Sequence, residues 1–454
     1  MTTPPLLARL MRTASKVEPH ETKAVWLSFL FVLILMTAYY ILRPIRDAMA
    51  SNWTDAELST LYTGTFVFSA LAVTIYGAAC TRIKIGHLVP GVYGIFALSF
   101  LAFYAILQAP NDAELVGKIF YVWISVFSLF HISVFWSFMA DVFNKAQALR
   151  LFGFIAAGAS IGAIAGPAIS FFLAKALGQD NLVLLSAVLL IPPIFVVLML
   201  ERIKHTELHN DTPPAEIDYP EILGTNLFSG FTLFVRSPYL LGIGLFILLY
   251  TGISTFVYFE LKNLMIDVDE AVRVQIWAGM DLAVNTIAIT TAMFGTGRLA
   301  TRFGLATTLT LVPVVIVAGL LMVAAAPLLF VVVGLQVVRR AGNYAITRPG
   351  REMLFTVVDR ESRFKAKSVI DIVVYRGGDM ATAWVFTGLT QGLGLGLGPI
   401  AAIGAAIAAL WAIVAGLLGK AYAGRHAGPE TTVPAYPPGI ESTPPGVEPP
   451  DPGQ

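Results

Sequence analysis

Residues 24–42 read AVWLSFLFVLILMTAYYIL, an apolar stretch without a single charged side chain. An α-helix needs about 20 such residues to cross the hydrocarbon core of a bilayer. Residues 1–23 before it are polar and basic. The apolar run is too long for a cleavable signal peptide and lacks the small-residue cleavage site of one. We therefore predict a first transmembrane helix at 24–42 that follows a cytoplasmic N-terminal segment at 1–23.

The composition extends this interpretation to the whole chain. Of the 454 residues, 56% are hydrophobic and 13% are charged, whereas soluble domains are about 25% charged. The 30 Lys and Arg nearly balance the 29 Asp and Glu, which argues against a nucleic-acid partner. The single cysteine, Cys80, excludes a disulfide framework and a cysteine-rich metal site. Together these figures exclude a disordered chain and a cytosolic enzyme, and they indicate a polytopic membrane protein.

Apolar runs of spanning length recur along the sequence and predict twelve transmembrane helices in an all-α fold. The runs lie near 24–42, 57–79, 88–108, 118–143, 152–174, 182–200, 239–259, 275–296, 305–324, 326–346, 368–389 and 398–419. A polar linker at 201–238 separates two six-helix halves, 24–200 and 239–420. The remaining residues 421–454 are rich in proline, and we expect this tail to be disordered.

The distribution of Lys and Arg between the runs predicts the orientation. With the N-terminus inside, most basic residues between the runs fall in inner segments, such as the cluster at 360–367, and few fall in outer segments. Cytoplasmic loops carry such an excess in membrane proteins. We therefore expect both termini to lie in the cytoplasm.

The two halves repeat short stretches of sequence. Residues 77–82, after the second run, read GAACTR, and residues 297–304, after the eighth, read GRLATRFG. Residues 39–43 (YYILR) and 258–262 (YFELK) end the first and seventh runs in a similar way. Parallel six-helix repeats are typical of transporters whose halves enclose a central substrate site.

The repeated loop resembles the Gly-x-Leu-Ala-Asp-Arg-x-Gly loop of the major facilitator superfamily, although Thr81 and Thr301 stand where that family prefers Asp. The fifth run places Gly153, Gly162 and Gly166 in a pattern similar to the glycine-rich fifth helix of antiporters in the same superfamily. Close helix packing through small residues explains these glycines equally well. The resemblance implies a major facilitator-like fold.

Charged residues inside the predicted spans are the candidate functional residues, because each costs about 2.5–3.5 kcal/mol on insertion scales. We predict that Arg43, Arg46, Lys262, Arg339, Arg340 and Arg376 bind substrate. Basic groups prevail among the intramembrane charges, and a guanidinium offers a bidentate fork to carboxylate or phosphate, so this set favours a small anion. Structural ion pairs and helix-end positions are the alternative explanation. No Walker loop, zinc motif or nucleophile elbow occurs, so we expect neither an enzyme nor a cofactor.

Several patches resemble one family, the bacterial and plastid ATP/ADP translocases, which exchange nucleotides. Residues 40–48 (YILRPIRDA) resemble its Leu-Arg-x-x-Lys-Asp motif, and residues 135–141 (FWSFMAD) resemble its Phe-Trp-Gly-Phe-Ala-Asn-Glu. Residues 148–152 (ALRLF), 343–353 (NYAITRPGREM) and 365–371 (KAKSVID) are similar to three further motifs. The patches extend from the first run to the eleventh and are fairly specific only in combination.

The resemblance implies that basic and acidic membrane residues bind nucleotide phosphates and support exchange. Arg46 matches a family Lys, and Asp141 matches a Glu. Lys262 falls near the family's Trp-Lys at the end of helix seven, and Glu260 stands in for the acid that comes before that pair in the family. We assign gating or coupling to Asp47, Asp141, Glu260, Asp281, Arg348, Arg351, Glu352, Lys365, Lys367, Asp371 and Asp379. The resemblance also implies a bacterial inner-membrane location, and we expect a monomer surrounded by membrane lipids.

Two departures from that family put ATP itself in question. The family has Arg-x-Gly-Lys where this chain has Arg376-Gly377-Gly378-Asp379, and Arg348 stands where the family tends to have Asp. The charge of the cavity is thereby rearranged. Three alternatives stay open: a proton-coupled exporter of organic solutes using Asp281, Asp371 or Asp379, a lipid or lysolipid flippase with an apolar lateral opening, and a membrane receptor or scaffold that transports nothing.

Overall fold

The computed structural model describes residues 17–80, 82–109, 113–208, 210, 229–294, 296–358, 366–367 and 369–426, without the side chains at 113, 145, 229–230, 292–301, 371–372 and 426. Residues 1–16 of the predicted N-terminal segment, 209 and 211–228 of the linker, and 427–454 of the tail therefore lie outside the described residues. Thr81, Lys365 and the side chains of Thr301 and Asp371 lie outside them as well.

The helices of the N-terminal half follow the predicted runs but extend beyond them. They are α1 (Thr22–Met49), α2 (Asp55–Cys80), α3 (Ile85–Leu107), α4 (Ala113–Val142), α5 (Lys145–Leu189) and α6 (Ile191–Thr206). Gly178 interrupts α5 with a positive φ of 75°, which glycine tolerates because it lacks a Cβ. The fifth crossing ends at this break, and the rest of α5 forms the sixth crossing with α6.

The C-terminal half begins with a short helix and is less regular. Its helices are α7 (Ser229–Arg236), α8 (Pro238–Leu264), α9 (Glu270–Phe294), α10 (Thr296–Ala325), α11 (Leu329–Gly342), α12 (Arg348–Leu354), α13 (Tyr375–Thr387) and α14 (Leu397–His426). Turns of π-helix at Asn343–Thr347, Ile370–Val374 and Gly388–Gly392 connect or flank α11, α12 and α13. Such turns are rare and are frequent at functional sites.

The described helices make twelve crossings, which confirms the predicted all-α membrane fold with two six-helix halves. Among the described residues, eight helical stretches are long and apolar enough to span a membrane by length and composition, and 146–206 contains two crossings. The other crossings are α9, α11 with α12, and α13, which carry Asp281, Arg339, Arg340 and Asp379. In the described part of the chain no residue lies in a β-strand.

Helices of the two halves contact each other within the membrane, between the two faces of the bundle. We call the face that carries residues 17 and 426 the terminal face and the opposite one the distal face. In the membrane, α5 and α1 contact α9, and α2 contacts α13. These contacts close the bundle around a space between the halves.

Glycines on α5 let its backbone approach that of α1. A Cβ at Gly158 would lie 2.5 Å from the Phe29 carbonyl oxygen, and one at Gly166 would lie 2.7 Å from that of Thr37. At Gly162 a Cβ would lie 2.8 Å from Met36 Cβ. Two glycines of the fifth-run pattern, Gly162 and Gly166, therefore serve close helix packing here, whereas Gly153 does not.

We expect Gly162→Ala to destabilise the protein by about 1–3 kcal/mol, because the added methyl group overpacks the α1–α5 interface. Gly153→Ala on the same helix is the matched control, since a Cβ there meets no atom within 4 Å. It should leave stability unchanged or raise it by at most about 1 kcal/mol through helix propensity. Thermal unfolding in detergent measures both variants, and equal melting temperatures would contradict the packing account.

Candidate functional site

A cavity of about 330 Å³ lies between the two halves. Helices α1, α2 and α4 supply its N-terminal wall, and α8, α9, α11 and α13 supply the C-terminal wall. It is lined by Tyr39, Arg43, Arg46, Asp47, Tyr62, Thr65, Phe66, Tyr121, Ser125, Ser128, Ser254, Thr255, Tyr258, Trp277, Gln336, Arg339, Arg340, Tyr344, Tyr375, Arg376 and Asp379. The structure thus brings together five of the six residues that the sequence predicted to bind substrate.

On the N-terminal wall, Asp47 is the centre of a charged cluster. Arg46 donates to Asp47 Oδ1 from Nε at 2.9 Å and from Nη2 at 2.6 Å, and its Nη1 donates to Ser125 Oγ at 3.3 Å. From the other half, Tyr258 donates its hydroxyl to the same carboxylate oxygen at 3.2 Å. The Arg46 guanidinium also lies over the Tyr121 ring, 5.4 Å from its centroid. Asp47 therefore neutralises one arginine and links the halves.

A second cluster crosses between the halves around Asp281, which is buried behind the cavity wall on α9. Arg340 donates to Asp281 Oδ1 through Nη2. Arg43 Nε, from α1, lies 3.8 Å from Asp281 Oδ2 and 3.7 Å from Asp47 Oδ2. One aspartate is thus shared by an arginine of each half, so the charge balance depends on how the halves sit together.

The remaining cavity charges lie on the C-terminal wall. Arg339 is 3% exposed and donates from Nε and Nη2 to the neutral amide oxygen of Gln336, at 3.0 and 2.8 Å. Asp379 accepts a hydrogen bond from Thr255 Oγ1 at 3.3 Å, and Arg376 lines the cavity on the same helix. Among the described side chains, no acid lies within ion-pair distance of Arg339. It is therefore a free cationic group of the cavity.

Polar atoms without a hydrogen-bond partner are mostly donors in this region. Among the described residues they are Arg43 Nε, Arg339 Nη1, Arg340 Nε, Arg340 Nη1 and Trp277 Nε1, together with the Thr65 hydroxyl, which can donate or accept, and the acceptor Asp281 Oδ2. An unpaired buried polar group costs about 1–3 kcal/mol. Counting the described side chains, five arginines face Asp47, Asp281 and Asp379, which leaves a surplus of two positive charges. The cavity is therefore suited to a ligand rich in acceptors and negative charge.

The substrate-binding set predicted from the sequence contains no aromatic residue, but the cavity lining does. Tyr62, Tyr121, Tyr258, Tyr344 and Trp277 belong to the same wall as the arginines. Tyr258 stands four residues before Lys262, which was predicted to bind substrate. Aromatic residues are common throughout the spans, however, so this spacing alone does not identify Tyr258 as a lining residue. Rings of this kind offer flat faces on which a planar group can stack.

Lys262, a predicted substrate-binding residue, lies outside the cavity lining. It is fully buried, its Nζ lies 2.7 Å from Asp55 Oδ1 at the start of α2, and it donates to the Trp53 carbonyl oxygen at 2.8 Å. Asn263 donates to Asp55 Oδ1 at 3.1 Å, and Thr390 donates to Oδ2 at 2.8 Å. We call Trp53, Asp55, Lys262, Asn263 and Thr390 the distal clamp, because they join the halves at the distal face.

Several predicted gating residues lie on the terminal face instead of in the cavity. Three of their hydrogen bonds join residues of one half: Lys204 donates to Asp141 at 2.8 Å, and Glu352 accepts from Arg351 at 3.0 Å and from Lys367 at 2.5 Å. Arg348, at the start of α12, is exposed. These residues lie at the terminal ends of the two halves, and their gating role stays a proposal.

Two other buried acids have separate environments. Glu260 is fully buried on α8, and neither carboxylate oxygen has a hydrogen-bond partner among the described residues. Glu21, before α1, accepts from Arg150 at 2.7 and 3.0 Å. Burial alone would raise the pKa of the Glu21 carboxyl, but the bonds from Arg150 and the Glu18 backbone hold it below its ordinary value.

His131, which stacks on Tyr39 and contacts the Phe127 carbonyl, is a packed residue of the bundle.

The sequence profile of the Major Facilitator Superfamily matches residues 25–349, well over half of the chain. The chain belongs to the Major Facilitator Superfamily. This assignment confirms the superfamily predicted from the repeated loop and supports an integral membrane transporter. No curated protein matches the chain.

Solved structures of the same fold cover nearly the whole chain. A bacterial homologue of the human lysosomal transporter Spinster, inward-facing and unoccupied, is 14% identical, with 90% of this chain and 99% of that one covered and a TM-score of 0.59. The nucleoside transporter NupG is 12% identical (86% and 98% covered, TM-score 0.61). A bacterial homologue of the iron transporter ferroportin, inward-facing, is 12% identical (88% and 98% covered, TM-score 0.62). At these identities the likeness shows the fold alone.

Proposed function

We propose that the protein is a secondary transporter that exchanges a small phosphorylated anion, nucleotide-like in shape, across the bacterial inner membrane. The observation that carries this proposal is the set of unpaired N–H donors in a cavity with two surplus positive charges. A phosphate group supplies acceptor oxygens and matches the fork of a guanidinium. Nearby tyrosine and tryptophan rings supply stacking faces for a base.

The surplus charge favours a dianion over a more highly charged nucleotide. A nucleoside monophosphate carries about two negative charges at neutral pH, which balances the surplus of the described side chains. Triphosphates would leave negative charge uncompensated in a site of low dielectric. Asp379 stands where the ATP/ADP translocases have a Lys. This exchange of a positive for a negative charge lowers the positive charge of the cavity relative to that family.

Two carboxylates that contact donors from both halves suggest how substrate binding is coupled to movement of the halves. Arg43 and Arg340 meet at Asp281 from opposite halves, and Arg46 with Tyr258 meet at Asp47. An incoming phosphate competes with these carboxylates for the same guanidinium donors. Substrate therefore replaces bonds between the halves with bonds to itself, which supports alternating access by rocking of the two bundles.

The distal clamp indicates which side of the site is closed in this conformation. Lys262 and Asp55 join the halves on the distal face, whereas Lys204–Asp141 and Lys367–Glu352 each join residues of one half on the terminal face. We propose that the site exchanges solute with the terminal side in this state, that this side is the cytoplasm, and that the single chain works as a monomer.

The proposal is tested with purified protein in liposomes. Vesicles preloaded with unlabelled AMP should take up labelled AMP faster than empty vesicles, and AMP should stimulate uptake more than ATP at equal concentration. Protein-free liposomes give the background. Uptake that needs a pH gradient and no internal substrate would contradict exchange and favour the proton-coupled exporter. An absence of flux for every nucleotide and phosphorylated solute would contradict the substrate class.

A further inference from the structure

A second cavity lies on the outer surface of the N-terminal half. It is an apolar groove of about 860 Å³ between α2 and α3, with α4 as its floor. Phe68, Leu71, Ile75, Ile95 and Ile119 line it, and each of these side chains is more than half exposed. In a membrane protein, side chains exposed at this depth contact lipid rather than water.

The groove runs along most of the height of the bundle. On α2 its lining extends from Thr60 near the distal face to Ala79 near the terminal face. That distance is about 28 Å at about 1.5 Å per residue, close to the roughly 30 Å hydrocarbon thickness of a bilayer. An extended acyl chain from either leaflet therefore fits along it.

The charged residues near the two ends of the groove differ in sign. They determine from which leaflet a lipid enters and which head group it carries. At the terminal end, Ile83 lines the groove and its neighbours Arg82 and Lys84 are exposed. At the distal end, Lys118 lies 2.6 Å from Glu57 and 2.5 Å from Glu114, so two acids outweigh one base. Anionic head groups are attracted by about 1 kcal/mol for each basic residue near the surface.

We infer that the groove binds one anionic phospholipid from the leaflet of the terminal face, with its head group at Arg82 and Lys84. The groove and the central cavity share no lining residue, and α2 and α4 stand between them. The lipid is therefore a bound ligand rather than the transported solute. It lies behind α2, which contacts the other half through Ser59 with Thr387 at 2.8 Å and Thr63 with Trp384 at 3.0 Å.

Native mass spectrometry of the detergent-purified protein tests the head-group part. Added phosphatidylglycerol should bind more tightly than phosphatidylcholine, and Arg82→Gln with Lys84→Gln should weaken phosphatidylglycerol binding by roughly 10- to 30-fold. Arg302→Gln is the matched control, because Arg302 is the exposed arginine of the repeated loop in the other half. Equal affinity for the two lipids, or an equal effect of Arg302→Gln, would overturn the inference.

Filling the groove tests the acyl-chain part. Ile75→Trp should reduce the lipid-bound fraction, whereas Ile413→Trp on α14 should not, although both isoleucines are 60% exposed. Both variants change only lipid-facing surface, so both should fold. Unchanged lipid occupancy in Ile75→Trp would remove the groove as the site. Transfer of labelled phosphatidylglycerol between leaflets by the reconstituted protein would make the lipid a cargo and would also overturn the inference.

Discussion

Replacing Arg339 with glutamine is expected to lower substrate uptake by about a hundredfold. Arg339 is the buried cavity arginine whose described hydrogen bonds go to a neutral group, Gln336, and its Nη1 has no partner. Hydrogen bonds to a charged partner are worth about 1.5–3 kcal/mol, and each 1.4 kcal/mol is tenfold in affinity. Glutamine keeps a polar side chain in the wall but removes the positive charge and the fork.

Liposome uptake of labelled AMP at several concentrations measures the change, with size-exclusion profiles to show that the variant folds. Arg202→Gln is the control, because Arg202 is exposed on the terminal face and has no assigned role in binding or gating. Arg339→Lys should recover only part of the loss, since an ammonium is a point charge without the planar fork. Wild-type uptake by Arg339→Gln would contradict the assignment of the cavity as the anion site.

The fold was largely predictable because hydropathy reports directly on the bilayer. Runs such as 24–42 contain enough apolar residues to identify a span without tertiary information. Helix ends were less predictable: α1 continues to Met49, and its charged residues Arg43, Arg46 and Asp47 form ion pairs inside the protein. The π-turns beside α11 and α13 left no signal in hydropathy, since they change the backbone register and not the composition.

The types of residue in the site were predictable from the sequence, but the contacts between these residues were not. Buried arginines at 339 and 340 indicate a cavity because their cost in lipid is high. Their partners could not be predicted, because Asp281 reaches Arg43 and Arg340 only after three helices have packed. Lys262 was predicted to bind substrate because it is a cation at the end of a predicted span. Its partner Asp55 is the first residue of α2, where an acid is equally expected as a helix-start residue.

Removing the Lys262 ammonium is expected to shift the protein strongly toward a conformation open at the distal face. In the present conformation Lys262→Ala would leave Asp55 buried beside Asn263 and Thr390 without its cation. Loss of one partner of a buried ion pair costs about 3–5 kcal/mol. A distal-open conformation avoids this cost because water reaches the carboxylate, so the ratio of the two states should change by more than a hundredfold.

Spin-label distances across the two faces report this shift. After Cys80→Ala, labels at Lys175→Cys and Asp267→Cys, both exposed near the distal face on opposite halves, should move apart in Lys262→Ala. Labels at Arg202→Cys and Lys420→Cys on the terminal face should move together.

Lys118→Ala separates this effect from a general loss of distal charge. Lys118 also forms ion pairs on the distal face, but both partners, Glu57 and Glu114, belong to its own half. Its removal takes away a bond within one rigid bundle and should leave both label distances unchanged. If Lys118→Ala moved the halves as far as Lys262→Ala, or if neither moved them, the clamp would not be what closes the distal face. Only a pair that bridges the halves gains or loses energy when they rock.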